Sequence, residues 1–201
     1  RAQLERTPIG NLTIESNAFV RDTKRLIILV VSPMTNRYEN VTSARGLGLE
    51  NAVSWASPRE RVELHGMFTW QDLRSTSTEQ PFAMFEGDRI PNRPYLFASW
   101  GGNLRFDNVL LPNDRVAPFY DGRYVHAFYR SWESLGRPEF KLGVPAQVTH
   151  TLGLTWTLRR SWALLTTTLE VDNLTDAKVF DNYGAQRPGR AFYLKLTGEL
   201  R

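Results

Sequence analysis

Three histidines, His65, His126 and His150, are the first residues to test for chemistry, because an imidazole can bind a metal or carry a proton near neutral pH. They fall on three separate segments. None has a second histidine at metal-ligand spacing, and no H-E-x-x-H motif occurs. This pattern points to structural or interfacial histidines. Cysteine is absent, which removes a thiol nucleophile, a thiolate metal site and a disulfide framework. No G-x-S-x-G elbow, G-x-x-x-x-G-K-[ST] phosphate loop or EF-hand loop is present. Glu170 and Asp172 share one strand face, a spacing that could suit glycoside hydrolysis. A polar channel wall would carry such a pair too. The chain is therefore expected not to be an enzyme. No catalytic, cofactor-binding or metal-ligating residue is assigned, and no cofactor is implied.

The elements that carry these residues read as strands. In Val148–Leu158 the even positions are mostly apolar and the odd ones are threonine or glycine. Such alternation gives a strand one apolar and one polar face, whereas a helix would scatter the threonines round its axis. Val62, Leu64, Phe68 and Trp70 alternate in the same way with Glu63, His65, Thr69 and Gln71. Phe192, Leu194 and Leu196 alternate with Tyr193, Lys195 and Thr197. The pattern predicts about nine strands, over 11–22, 25–33, 43–56, 61–74, 94–107, 116–131, 146–159, 162–174 and 187–200.

Connectors alternate in length. Residues 22–25, 57–60 and 159–161 are tight turns; 34–42, 75–93, 132–145 and 175–186 are long, and 108–115 is intermediate. Many of the strands are longer than the roughly 5–6 residues usual in soluble proteins. A tilted strand needs about 9–11 residues to cross a bilayer. These features describe an antiparallel up-and-down transmembrane barrel with short turns on one side and long loops on the other. A soluble barrel or sandwich is the alternative. Trp55, Trp156 and Trp162 fall near short turns, as in an interfacial girdle.

Composition sets further bounds. Aromatics reach 12%, too many for a disordered chain. The net charge is +4, but the basic residues are scattered and form no tail or basic helix, so no nucleic-acid partner is expected. The longest apolar run, Leu26–Val31, is far shorter than a membrane helix requires. Residues 1–6 lack a signal-peptide pattern, so an exported protein would carry its signal upstream.

One stretch goes beyond pattern. Val171-Asp172-Asn173-Leu174-Thr175-Asp176 is followed by Pro188-Gly189-Arg190-Ala191-Phe192. This resembles the end of TonB-dependent receptors, where V-x-N-L-x-D closes the penultimate strand and P-G-R-x-[FY] opens the last. Gly46-Leu47-Gly48-Leu49-Glu50 resembles a family strand start, and Ile90-Pro91-Asn92-Arg93-Pro94 a proline-containing approach to the next strand. Gly48, Glu50, Asn173, Asp176, Pro188, Gly189 and Arg190 carry the resemblance and are read as structural: Asn and Asp suit a strand-to-loop turn, and Pro-Gly a loop exit.

The resemblance implies an all-β chain, residues 1–201 forming the C-terminal part of a larger barrel domain of about 22 strands. The plug domain and earlier strands would lie upstream. Family chains usually end on an aromatic, whereas this one ends Gly198-Glu199-Leu200-Arg201. The implied function is outer-membrane uptake of a large or scarce solute: an iron–siderophore complex, cobalamin, haem or an oligosaccharide. Import would be energised through TonB, reached by the N-terminal region. The implied partners are outer-membrane lipid, the TonB complex and an external solute. A porin-like passive channel and a soluble carbohydrate-binding β-sandwich or barrel are the alternatives. Leu152, Leu154, Trp156, Leu194 and Leu196 should face lipid, with Thr151, Thr155, Lys195 and Thr197 facing the lumen. Phe82, Phe85, Trp132 and Tyr183, in the long loops, could stack on cargo, although loop packing would also suit them.

Overall fold

The computed structural model describes residues 2–31, 36–137, 141–182 and 184–200. Tyr183 lies outside these residues, so its expected cargo contact has no structural counterpart.

The expected alternation becomes one antiparallel sheet. Its main strands are β1 (Ala2–Thr7), β2 (Gly10–Val31), β3 (Asn36–Ala56), β4 (Val62–Ser75), β5 (Leu96–Leu104), β7 (Asp114–Val125), β10 (Gln147–Arg159), β11 (Ala163–Asp172) and β14 (Ala191–Leu200). They pair in that order, and β6 (Phe106–Asp107) continues β5 alongside β7. Two small hairpins sit in the loops: β8 (Phe128–Tyr129) with β9 (Gly143–Val144), and β12 (Phe180–Asn182) with β13 (Ala185–Gln186). Among the described residues, β1 and β14 each pair on one side, so the sheet is an open arc and not a closed small barrel.

Three sequence expectations are corrected. Residues 22–25 do not turn. The ladder runs through Lys24–Ser43 to Leu26–Val41 in unchanged register, so the expected strands 11–22 and 25–33 are joined into one, which is described as far as Val31. Arg25 takes a positive φ of 57° without reversing the chain. Correspondingly, most of the expected 34–42 loop is strand. Pairing of β3 with β4 stops at Ala44–Ser75, so residues 24–31 and 36–43 form a two-stranded arm beyond the sheet. Strand β1 was unforeseen, and it pairs with β2 through a tight turn at Thr7–Gly10. Residues 11–22 therefore run away from the short-turn side, antiparallel to 187–200, whereas in the expected meander of nine strands, with 11–22 first and 187–200 last, the two would run the same way.

The register separates two faces. Leu154 of β10 lies between Pro118 and Leu169, and Leu169 lies beside Leu194. These side chains are exposed: Leu154 is 41% accessible, Leu194 63% and Leu196 67%. Leu152, Leu165, Phe192, Leu47, Leu49, Val53 and Leu64 extend the same apolar surface. One residue along, Thr155 bonds Thr168 at 3.1 Å, Thr151 donates to Asp172 at 2.8 Å and Lys195 reaches Glu170 at 2.6 Å. The isolated sheet thus exposes its leucines on one side and its polar side chains on the other. The packed core lies elsewhere, in two clusters at the long-loop end: Ala44, Phe82, Ile90 and Trp132, and Val125, Phe128 and Val144.

Short turns are held by indoles on the apolar side. Trp55 Nε1 donates to the carbonyl of Ile9 at 2.9 Å. Trp156 Nε1 donates to Asp114 at 2.9 Å, and that carboxylate also receives the N–H groups of Val109, Leu110 and Leu111. An indole with an apolar body and one donor suits this position at the end of an apolar face.

Candidate functional site

The long loops converge on one end of the sheet and pack on each other. Loop 75–93 runs back along β4: Ile90 N–H donates to Leu73, Ser75 N–H to Asp88 and Gly87 N–H to Ser75. Its short 3-10 turn, Ala83–Phe85, delivers Phe85 onto Trp132 of the next long loop, with ring centroids 4.6 Å apart and planes within 2°. Phe82 flanks the same indole at 6.1 Å. Phe82 and Trp132 are 5% and 3% exposed, and Phe85 is half-buried. The structure therefore brings together three of the four aromatics singled out in the sequence, with Phe85 stacked on Trp132 and Phe82 tilted against the same indole.

Polar contacts lock the same two loops. Ser134 donates to Asp88 through its N–H at 2.9 Å and its hydroxyl at 2.5 Å. Asn92 N–H donates to Tyr129 at 2.8 Å. Arg89 is the hub. Its Nε donates to Asp72 at 2.6 Å, its Nη1 to Glu133 at 3.1 Å, and its guanidinium lies 4.0 Å from the centre of the Tyr95 ring. Burial alone would lower the Arg89 pKa. The hydrogen bond and charge of Asp72, then the charge of Glu133, outweigh it and raise the pKa, so the cation is permanent. Sequence reading missed this hub because its partners lie 17 and 44 residues away.

Two clefts open beside the locked loops. The larger, about 550 Å³, is lined by Arg89, Arg93, Tyr95, His126, Tyr129 and Lys141 among others. The smaller, about 270 Å³, lies over Phe19, Arg21, Gln71 and Leu73 and shares Arg89, Ile90, Arg93 and Tyr95 with the first. The third long loop joins through Phe180, which packs on the second core cluster and exchanges backbone hydrogen bonds with the Gln147 side chain. The histidines stay apart, each with its own partner: His65 with Asp121 at 3.0 Å, His126 with Tyr124 at 2.6 Å and His150 with Tyr120 at 2.8 Å.

The family model for the TonB dependent receptor-like beta-barrel matches residues 6–174. The chain belongs to the TonB-dependent receptor family. Among solved structures it is similar to BauA, the ferric preacinetobactin receptor from Acinetobacter baumannii, at 17% identity and a TM-score of 0.63, over 94% of this chain and 27% of that one. It is similar also to the siderophore receptor PiuA from Acinetobacter baumannii, at 19% identity and a TM-score of 0.59, over 96% of this chain and 26% of that one. The chain thus spans about a quarter of either receptor's length. A comparison with curated proteins finds no match.

In this TonB-dependent receptor barrel the motif residues quoted from the sequence have defined places. Asn173, buried and at φ 50°, closes a turn by bonding both the N–H and the carbonyl of Ala177. Asp176 accepts the N–H of Arg190 at 2.8 Å. A side chain at Gly189 would overlap the same Asp176 carboxylate and force it to shift. Pro188 and Gly189 line a cleft of about 320 Å³ with Arg123, Thr149 and Arg187. Gly48 lies directly under the Phe19 ring, which leaves no room for a Cβ, and Glu50 is exposed two residues on. The family model stops at residue 174, so the P-G-R segment is placed by this geometry and not by the match.

Proposed function

We propose that the chain is the C-terminal part of the barrel wall of an outer-membrane receptor that imports a siderophore-type ferric complex with energy delivered through TonB. The observation that carries this reading is the two-faced open sheet. An exposed leucine face suits lipid, and lumenal threonines and charges suit an aqueous interior. The description of one structural neighbour as a siderophore receptor and of the other as a ferric preacinetobactin receptor supports the cargo class. In this reading the plug and the remaining strands come from the rest of the protein, and the long loops lie outside the cell. Phe82, Phe85 and Trp132 hold the loops as a unit, and cargo meets the clefts beside them.

The test is uptake of radiolabelled iron as ferric siderophores by iron-starved cells carrying or lacking the full-length gene, with and without TonB. Uptake that requires both supports the proposal. Uptake that persists without TonB indicates a passive channel. Transport of cobalamin, haem or an oligosaccharide in place of iron chelates would move the cargo class.

A further inference from the structure

Among the described residues, the two loop-end clefts are lined by more cations than carboxylates. Arg21, Arg89, Arg93 and Lys141 line them, against one lining carboxylate among the described residues, Glu133. Arg89 is already matched by Asp72 and Glu133. Some cations elsewhere on the polar face have close partners, such as Lys195 on Glu170 and Arg105 on Glu63, each at 2.6 Å. Arg21 and Arg93 make no ion pair among the described residues, and both are exposed. Lys141 donates to the carbonyl of Glu133 and lies 5.1 Å from the centre of the Tyr129 ring, and it too makes no ion pair among the described residues.

We propose that these clefts form one binding site for a multiply anionic chelate, with Arg93 in the shared wall, Arg21 at one end and Lys141 at the other. The site rests on the receptor reading above and narrows its cargo to negatively charged complexes. Arg93 belongs to both clefts, so one ligand spanning them meets it centrally. Tyr95 is held under Arg89 and against His126 at 5.0 Å, which gives the shared wall a fixed aromatic edge. Cations gathered in a concave site raise the local concentration of an anion and speed its capture. Guanidinium groups suit a planar array of oxygen acceptors better than an ammonium does.

The experiment uses the full-length protein in detergent and two probes of similar size: ferric tris-catecholate, a trianion, and ferric tris-hydroxamate, which is uncharged. Equilibrium binding is measured at low and high salt for the wild type, Arg93→Glu and Arg21→Glu, with Arg159→Glu as a control at the short-turn end. The proposal expects the trianion to bind more tightly than the neutral chelate. It expects each cleft substitution to weaken the trianion by about tenfold or more at low salt, with the control unchanged and the difference shrinking in high salt. Equal or tighter binding of the neutral chelate overturns it, as does failure of both probes to bind. Insensitivity to Arg93→Glu and Arg21→Glu overturns it as well. TonB-dependent uptake of a neutral chelate, unaffected by Arg93→Glu, would leave the receptor reading standing while removing this one.

Discussion

Asp176 and Arg190 are fourteen residues apart, yet the Asp176 carboxylate accepts the Arg190 backbone N–H at 2.8 Å and so fixes where the last strand begins. Gly189 allows the approach because any side chain there would strike that carboxylate. Asp176→Ala should free the Arg190 amide at a cost of about 1 kcal/mol. Hydrogen exchange at Arg190 should accelerate several-fold while amides in the middle of β14 are unaffected. Gly189→Ala should produce the same local change with a larger effect. Unchanged exchange in both variants would show that the contact does not position the strand.

Arg89 joins β4, both interlocked loops and Tyr95. Arg89→Ala removes the cation between Asp72, whose side chain is 12% exposed, and Glu133. The expected cost is about 1–3 kcal/mol. Limited proteolysis should then cut within 75–93 and 132–145 sooner than in the wild type. Arg89→Lys should rescue little, because an ammonium cannot reproduce the forked contacts.

Trp132→Ala should loosen the loops by emptying the space between Phe82 and Phe85, and Trp132→Phe should largely preserve them. Cargo affinity should follow loop order in both variants. An affinity loss in Trp132→Phe with loop exchange rates unchanged would instead place the indole in direct contact with cargo.

Leu154→Arg should destabilise the barrel in lipid by ~2–4 kcal/mol if Leu154 lies near the bilayer midplane. Thr155→Arg, pointing to the other face, should cost far less. Denaturant unfolding in vesicles separates the two, and equal costs would argue against a lipid face.

The sheet was legible where alternation is local. The Val148–Leu158 segment and the turns at 57–60 and 159–161 need only neighbouring residues to specify them. The misreading at 22–25 has a physical cause. Asp22, Thr23, Lys24 and Arg25 look like a turn because they are polar and separate two apolar stretches, but the ladder runs straight through them. Asp22 pairs with Arg45 across β2 and β3 at 2.7 Å. Polar residues whose partners lie across the ladder have the same composition as a turn. The loop-end site was largely illegible, since Arg89 with Glu133 and Phe85 with Trp132 are brought together only by tertiary folding. Asn173, Asp176 and Gly189 could be singled out because strand-exit chemistry is written in residue type.

The most direct measurement is residue-by-residue accessibility along β10 in a lipid bilayer. Single spin labels are placed at positions 151–156 of the full-length protein; this segment contributes no cysteine of its own. The account predicts a period of two, with labels at 152, 154 and 156 relaxed by oxygen dissolved in lipid and labels at 151, 153 and 155 relaxed by a water-soluble nickel chelate. Absence of the alternation, or labels at 152 and 154 shielded from both reagents as in a closed protein core, would contradict it.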